Sequence, residues 1–295
     1  MKDFLTVTSL GREQLEGLIG RASTNRDLLD LGSPIEPVLA GQAVANLFFE
    51  PSTRTRLSFD LAAQRLGAKV ITLDPTTSSA SKGETLRDTA LTVHAIGVDL
   101  MVVRHATDGV PEQVASWTGL PVINAGDGVH EHPTQALLDA VTLQRRFGRL
   151  QGIRLGIVGD IVHSRVAGSL MPALGTLGIE VVAVGPPHWI PENAPVAVHD
   201  LDDVLDTLDA IYLLRVQTER GGAITKEFIS KYQLNHHRAS RLPEHAVIMH
   251  PGPMNRDVEI SDDVADSARS LVTEQVRNGV PARMAVFQTI AGHGR

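Results

Sequence analysis

Apolar residues in this chain fall into short unbroken runs, separated by longer stretches where they recur every three or four positions. The runs are Ala43–Phe49, Val70–Leu73, Asp99–Arg104, Pro121–Ala125, Ile153–Val158, Ile179–Val184, Ala210–Leu214 and Val247–Met249. They are continuous rather than alternating, which marks strands buried on both faces of a parallel sheet. Helical periodicity fills the intervals: about 10–30, 53–66, 84–96, 112–117, 132–146, 164–177, 201–208 and 225–231. Gly32-Ser33-Pro34 and Gly67 read as helix stops. The tail from about Ser267 to Gly292 reads as two helices broken at Asn278-Gly279-Val280-Pro281, since proline suits a helix start. Gly148 to Gly152 interrupts the strand–helix alternation, and a second series begins after it. The pattern predicts an α/β protein with two αβ domains, divided near residues 147–152.

Composition narrows the class. The chain has 295 residues, 42% hydrophobic and 21% charged, enough for two buried cores. A formal net charge of −7 argues against non-specific binding to nucleic acid or an acidic membrane. Any anion site must therefore be local. The absence of cysteine removes disulfides, thiolate metal sites and a thiol nucleophile. The start of the chain lacks the apolar core of a signal peptide, and no apolar run approaches the roughly 18 residues of a membrane span. A cytoplasmic location is expected.

Candidate chemistry gathers where strands end. After Ala43–Phe49, Pro51 stops the strand, and Ser52-Thr53-Arg54-Thr55 opens a helix. The free N–H groups of such a turn, two hydroxyls and Arg54 suit a dianion; an ordinary N-cap at Ser52 or Thr53 is the alternative. Ser78 to Lys82 is a polar loop able to carry a hydroxyl and an ammonium over an anion, or simply an exposed turn. Arg104-His105 follows another buried strand, and ligands of open α/β sheets sit beyond the carboxyl ends of strands. His132-Pro133-Thr134-Gln135 opens a helix, with His132 and Gln135 on one face. His130, Glu131 and His132 lack a helical metal-binding spacing. Gly156-Ile157-Val158-Gly159 does not match the dinucleotide fingerprint, and Arg165 just beyond it suits a carboxylate better. Arg215 and Gln217 leave a buried strand towards Gly221-Gly222, and His250-Pro251-Gly252-Pro253 leaves another.

Taken in order, these stretches resemble the aspartate carbamoyltransferase catalytic chain family over essentially the whole length. The likeness rests on Phe48-Phe49-Glu50-Pro51-Ser52-Thr53-Arg54-Thr55-Arg56, Ser78 with Lys82-Gly83-Glu84, Arg104-His105, the motif at 132–135, Arg165, Arg215-Val216-Gln217 with Glu219-Arg220, and the motif at 250–253. The resemblance implies transfer of the carbamoyl group of carbamoyl phosphate to the amino group of L-aspartate, giving N-carbamoyl-L-aspartate and phosphate in pyrimidine synthesis. It implies that Ser52, Thr53, Arg54, Thr55 and Arg104 hold phosphate. Thr55, Arg104 and His132 would polarise the carbamoyl oxygen, while Gln135 and the carbonyls of Pro251 and Gly252 would hold the carbamoyl NH2. Arg165, Arg215, Gln217 and Lys82 would bind L-aspartate. Ser78 and Lys82 would come from a neighbouring subunit, so a homotrimer with shared sites is implied, with possible further assembly on regulatory chains or dihydroorotase. No metal and no cofactor is implied. Gly252 stands where well-known members carry leucine, a change that spares a backbone contact. Ornithine carbamoyltransferase is the competing relative; its cysteine motif is impossible in a cysteine-free chain. The expected architecture is a carbamoyl-phosphate-binding domain at 1–147, an aspartate-binding domain at 148–276, and interdomain helices. A C-terminal helix at about 277–295 would pack back on the first domain.

Overall fold

The computed structural model describes residues 1–73, 83–216 and 226–292. The chain divides into two units, Met1–Val141 with Val276–Arg295, and Thr142–Gln275. In the first, helix α1 (Arg12–Asp30) precedes β1 (Ala43–Phe48), α2 (Thr53–Arg65), β2 (Lys69–Leu73), α3 (Leu86–Ile96), β3 (Leu100–His105), α4 (Val110–Thr118) and β4 (Val122–Asp127). Helix α5 (Pro133–Phe147) carries the chain across the division. The sheet order is β2-β1-β3-β4, with every pair parallel. Ala45, Leu47, Met101 and Val103 pack with Ala90, Val93, Val110 and Val114 of the flanking helices. Val44 and Val102 on the opposite face are buried too, and such two-sided burial is why β1, β3 and β4 read as unbroken apolar runs; β2, expected to be buried as well, is instead a largely exposed edge strand with Ile71 45% exposed.

The second unit contains β5 (Arg154–Val158), α6 (Arg165–Thr176), β6 (Glu180–Val184), β7 (Ala197–Val198), β8 (Ala210–Leu213), α7 (Lys226–Tyr232), α8 (His236–Arg241), β9 (Val247–Met249) and α9 (Asp262–Ala265). Its sheet is also parallel, ordered β7-β6-β5-β8-β9. Helix α10 (Val272–Ala291) crosses back into the first unit. Among the described residues no helix is long and apolar enough to cross a membrane.

Two further expectations fail, each for a local reason. Residues 201–208 form two 3-10 turns, Leu201–Asp203 and Leu205–Thr207, not an α-helix. Asp200 caps the first turn by accepting from the Asp202 N–H at 2.9 Å. The Asp202 carboxylate is held by Arg238 and Arg241 at 2.8 and 2.7 Å, so short polar side chains outcompete the helix. The tail is one helix, not two, and Pro281 lies inside it. Tertiary bonds hold the unpromising Asn278-Gly279-Val280-Pro281 segment helical. Arg26 donates to Asn278 Oδ1 at 2.8 Å, and Asn25 donates to the Pro281 carbonyl at 3.3 Å.

Candidate active site

Each sheet reverses its strand order once, and the reversal fixes where a ligand finds a crevice. In the first unit the chain steps from β1 outward to β2, then returns to β3 on the other side of β1. The loops leaving β1 and β3 therefore diverge side by side. Phe48 pairs with Arg104 in the parallel register, and the Phe49 N–H donates to the Arg104 carbonyl at 2.9 Å. Arg104 thus stands next to the turn that becomes α2.

That turn has the chemistry that suits an anion. Ser52 occupies the N-cap with extended backbone, yet its hydroxyl makes no capping bond. The first-turn N–H groups and the positive end of the helix dipole remain for a ligand. Thr55 is buried, while Thr53 and Arg54 are exposed. Arg104 is buried; its Nη1 donates to the Ala125 carbonyl at 3.2 Å, and its Nε lies 3.6 Å from Glu50 Oε2. The carbonyl and the carboxylate hold the guanidinium in a set direction. Next to it, burial lowers the pKa of His105 and Glu50 opposes this only in part, so that ring is neutral at pH 7.

The third strand end brings in α5. Buried Asp127 accepts from the Gly109 N–H at 2.7 Å and from Asn124 Nδ2 at 2.8 Å. Buried Glu131 accepts from the Val7 N–H at 2.9 Å and from the Thr6 hydroxyl. Gly128 has φ +42°, and a Cβ there would stand 1.8 Å from Asp108 Oδ1, so only glycine fits. This frame holds the start of α5, where His132 and Gln135 are both buried. The Gln135 N–H donates to the His132 carbonyl at 2.9 Å. Gln135 Nε2 donates to Asp139 Oδ1 at 3.0 Å. The sequence reading passed over Asp139; its spacing of four from Gln135 on a helix was the available signal.

In the second unit the reversal lies between β5 and β8. The loop after β5 leads to α6, where Ser164 is a true N-cap: its Oγ accepts from the Ala167 N–H at 3.2 Å. Arg165 is the first residue of the helix and is half-buried. Arg215, also half-buried, follows β8, and the Leu214 N–H donates to the Val158 carbonyl at 2.9 Å. The loop after β9 is locked by a buried histidine. His250 Nδ1 accepts from the Gly252 N–H at 2.8 Å, so the ring proton sits on Nε2, which donates to buried Glu259 at 3.0 Å. The same carboxylate accepts from the Asn255 N–H at 2.6 Å, and Asn255 Nδ2 donates to the Val216 carbonyl at 2.9 Å. Gly252 has φ +67°, a conformation in which a leucine would be strained. The network fixes Pro251 and Gly252 beside the strand end that carries Arg215. His250 and Glu259 were not singled out individually from the sequence; the pairing is tertiary.

In each unit, then, cationic and hydrogen-bonding groups stand at the carboxyl ends of strands, those on β1 and β3 and on β5 and β8 flanking the switch point. Ser78, Lys82 and Gln217 lie outside the described residues. The arrangement defines the class: the chain belongs to the aspartate/ornithine carbamoyltransferase family. The family's carbamoyl-phosphate-binding domain matches residues 2–145, and its aspartate/ornithine-binding domain matches residues 151–290. Within that family the likeness is to aspartate carbamoyltransferases. The catalytic subunit of Acidothermus cellulolyticus aspartate carbamoyltransferase is 50% identical, over 100% of this chain and 94% of the relative. The catalytic subunit of M. jannaschii aspartate transcarbamoylase superposes with a TM-score of 0.89 at 33% identity, covering 99% of both chains. Trypanosoma cruzi aspartate transcarbamoylase, in complex with carbamoyl phosphate and aspartate, superposes with a TM-score of 0.90 at 31% identity, covering 98% of this chain and 95% of that one.

Proposed function

We propose that this chain transfers the carbamoyl group of carbamoyl phosphate to the amino group of L-aspartate, releasing N-carbamoyl-L-aspartate and phosphate for pyrimidine synthesis. The observation that carries the reading is the pair of switch points. One is furnished for a phosphate and a polar carbonyl, the other with two arginines suited to carboxylates.

The first domain takes carbamoyl phosphate. Ser52, Thr53, Arg54 and Thr55 hold the phosphate at the start of α2, with Arg104 beside them. Thr55, Arg104 and His132 donate to the carbamoyl oxygen, where negative charge grows as the amine attacks. Gln135 and the carbonyls of Pro251 and Gly252 accept from the carbamoyl NH2. The second domain takes L-aspartate through Arg165, Arg215 and Gln217, with Lys82 reaching it from a neighbouring subunit along with Ser78. As the C–N bond forms, the C–O bond to phosphate breaks, and the departing phosphate accepts the amine proton. Positioning and electrostatics account for the rate, with no covalent intermediate. The family resemblance further supports a cytoplasmic homotrimer with shared sites.

Ornithine is the competing acceptor in the family. Two arginines in the acceptor domain match the two carboxylates of aspartate, whereas ornithine would bring a second ammonium group to them. Phosphate release from carbamoyl phosphate is therefore expected with L-aspartate and not with L-ornithine. Release with ornithine alone would overturn the assignment. Arg54→Ala is expected to lower turnover by about 10²–10³-fold or more, the cost of losing one preorganised donor to a developing anion.

A further inference from the structure

A buried carboxylate and a buried guanidinium that act on each other electrostatically lie behind Gln135. Asp139, one turn beyond Gln135 on α5, is fully buried and accepts from the Gln135 amide nitrogen at 3.0 Å. Its counter-charge is Arg283 of α10. Burial lowers the guanidinium to about 9, and Asp139 opposes that fall, so Arg283 is charged at neutral pH. Arg283 is itself fixed on α2. Its Nη1 donates to Ser58 Oγ at 2.9 Å and to the Gly279 carbonyl at 3.1 Å, and its guanidinium lies 4.8 Å from the centre of the Phe59 ring. Phe59 in turn meets Phe287 edge-on at 5.9 Å. Ser58 and Phe59 are on the same helix whose first turn is Ser52-Thr53-Arg54-Thr55.

A carboxylate can only accept hydrogen bonds. A glutamine beside it must therefore spend an N–H on it, and its oxygen is left to face the other way. We propose that Arg283 and Asp139 form a positioning pair that orients the Gln135 amide, oxygen outward, to accept a hydrogen bond from the donor substrate's NH2. The proposal rests on the assignment of Gln135 to the carbamoyl NH2 made above. It makes these two residues the basis for selecting carbamoyl phosphate over acyl phosphates, whose methyl group offers no proton to an amide oxygen. It also makes α10 part of the machinery, because Arg283 ties the phosphate-binding helix to the carbamoyl-binding helix.

The test compares carbamoyl phosphate with acetyl phosphate, each supplied with L-aspartate. The readout is the ratio of the two kcat/KM values. Asp139→Asn gives the amide an alternative partner that can donate, so the ratio is expected to fall by about tenfold or more, chiefly through the carbamoyl reaction. Gln135→Ala is expected to lower the ratio similarly, and the double variant Q135A/D139N no further. Equal losses for both donors in D139N would mean a merely structural role and overturn the proposal. An unchanged ratio would do the same. If Q135A itself leaves the ratio unchanged, the assignment of Gln135 fails, and this inference with it; if only D139N leaves it unchanged, the assignment stands and the inference fails. Should D139N not fold, the pair D139N/R283M removes both buried charges, and its ratio is read in the same way.

Discussion

A guanidinium enclosed by helices is tolerable only while a carboxylate answers it. Removing Arg283 alone takes a positive counter-charge away from buried Asp139. R283M is therefore expected to lose about 3–5 kcal/mol in urea unfolding, and D139N/R283M markedly less, because the double variant leaves no charge unmatched. His130 gives a different residue-scale prediction. Burial lowers its pKa, but its 3.0 Å bond to Asp127 and the charges of Asp127, Glu131 and Glu112 outweigh burial and hold it above the usual value. A raised folded pKa contributes stability fully below the unfolded value of about 6.5, and that contribution is lost as pH rises through the folded value. Glu112 acts in the same sense at lower pH: burial raises its pKa, with Asp127 adding to the rise, so its share is lost as pH climbs above the ordinary carboxylate value, before the fall across neutral pH that belongs to His130. The thermal midpoint should fall across neutral pH, and His130→Gln should flatten part of that slope. A parent midpoint that rises with pH through this range would contradict the assignment.

At the scale of single elements, glycine changes sign with its surroundings. Gly17 is on the exposed face of α1 with nothing within 4 Å of a new Cβ, so G17A is expected to stabilise by about 0.5–1 kcal/mol. In α10 a Cβ on Gly279 would meet Arg283 Nη1 at 2.8 Å and Ser58 Oγ at 3.2 Å. The guanidinium is enclosed and cannot swing away, so G279A is expected to destabilise despite better helix propensity, as denaturant midpoints of the two variants would show. The same contrast explains what could be read from the chain. Seven buried strands announce themselves as apolar runs, and the exposed edge strand β2 happens to carry one as well, so eight of the nine were visible though β2 for the wrong reason; β7, two residues long, leaves no pattern. Helix starts such as Thr53 and Arg165 were visible because the strand before them ends abruptly. The continuity of α10 through Pro281 was not legible, because it depends on Asn25 and Arg26, some 250 positions away. Within the candidate site, residues at strand ends stood out by type and place. Those behind them did not: Asp139, Glu259 and Arg283 look like ordinary surface charges until the fold encloses them.

On the scale of the molecule, two parallel sheets each offer one switch point, and the proposed chemistry needs both. The shared-site reading adds a requirement across subunits. Mixing inactive R54A chains with inactive Lys82→Ala chains should restore part of the activity, because some sites in a hybrid trimer draw both intact residues from different chains. Native mass measurement establishes whether hybrids formed, and proven hybrids without activity would sink the shared site.

The division of the chain also sets an order of assembly. The second unit is continuous in sequence and can close its core as soon as its own residues are made. The first cannot, since Asn25 bonds Gln288 at a separation of 263 residues. During synthesis its α1, α2 and α5 surfaces must wait for α10, through a long stretch in which another domain is folding. The segment that ends this wait is the one that sets Arg283 behind Asp139. A nascent chain interrupted before α10 lacks, in one stroke, the seal of its first core and the charge behind Gln135, so completion of folding and onset of donor selectivity coincide in time.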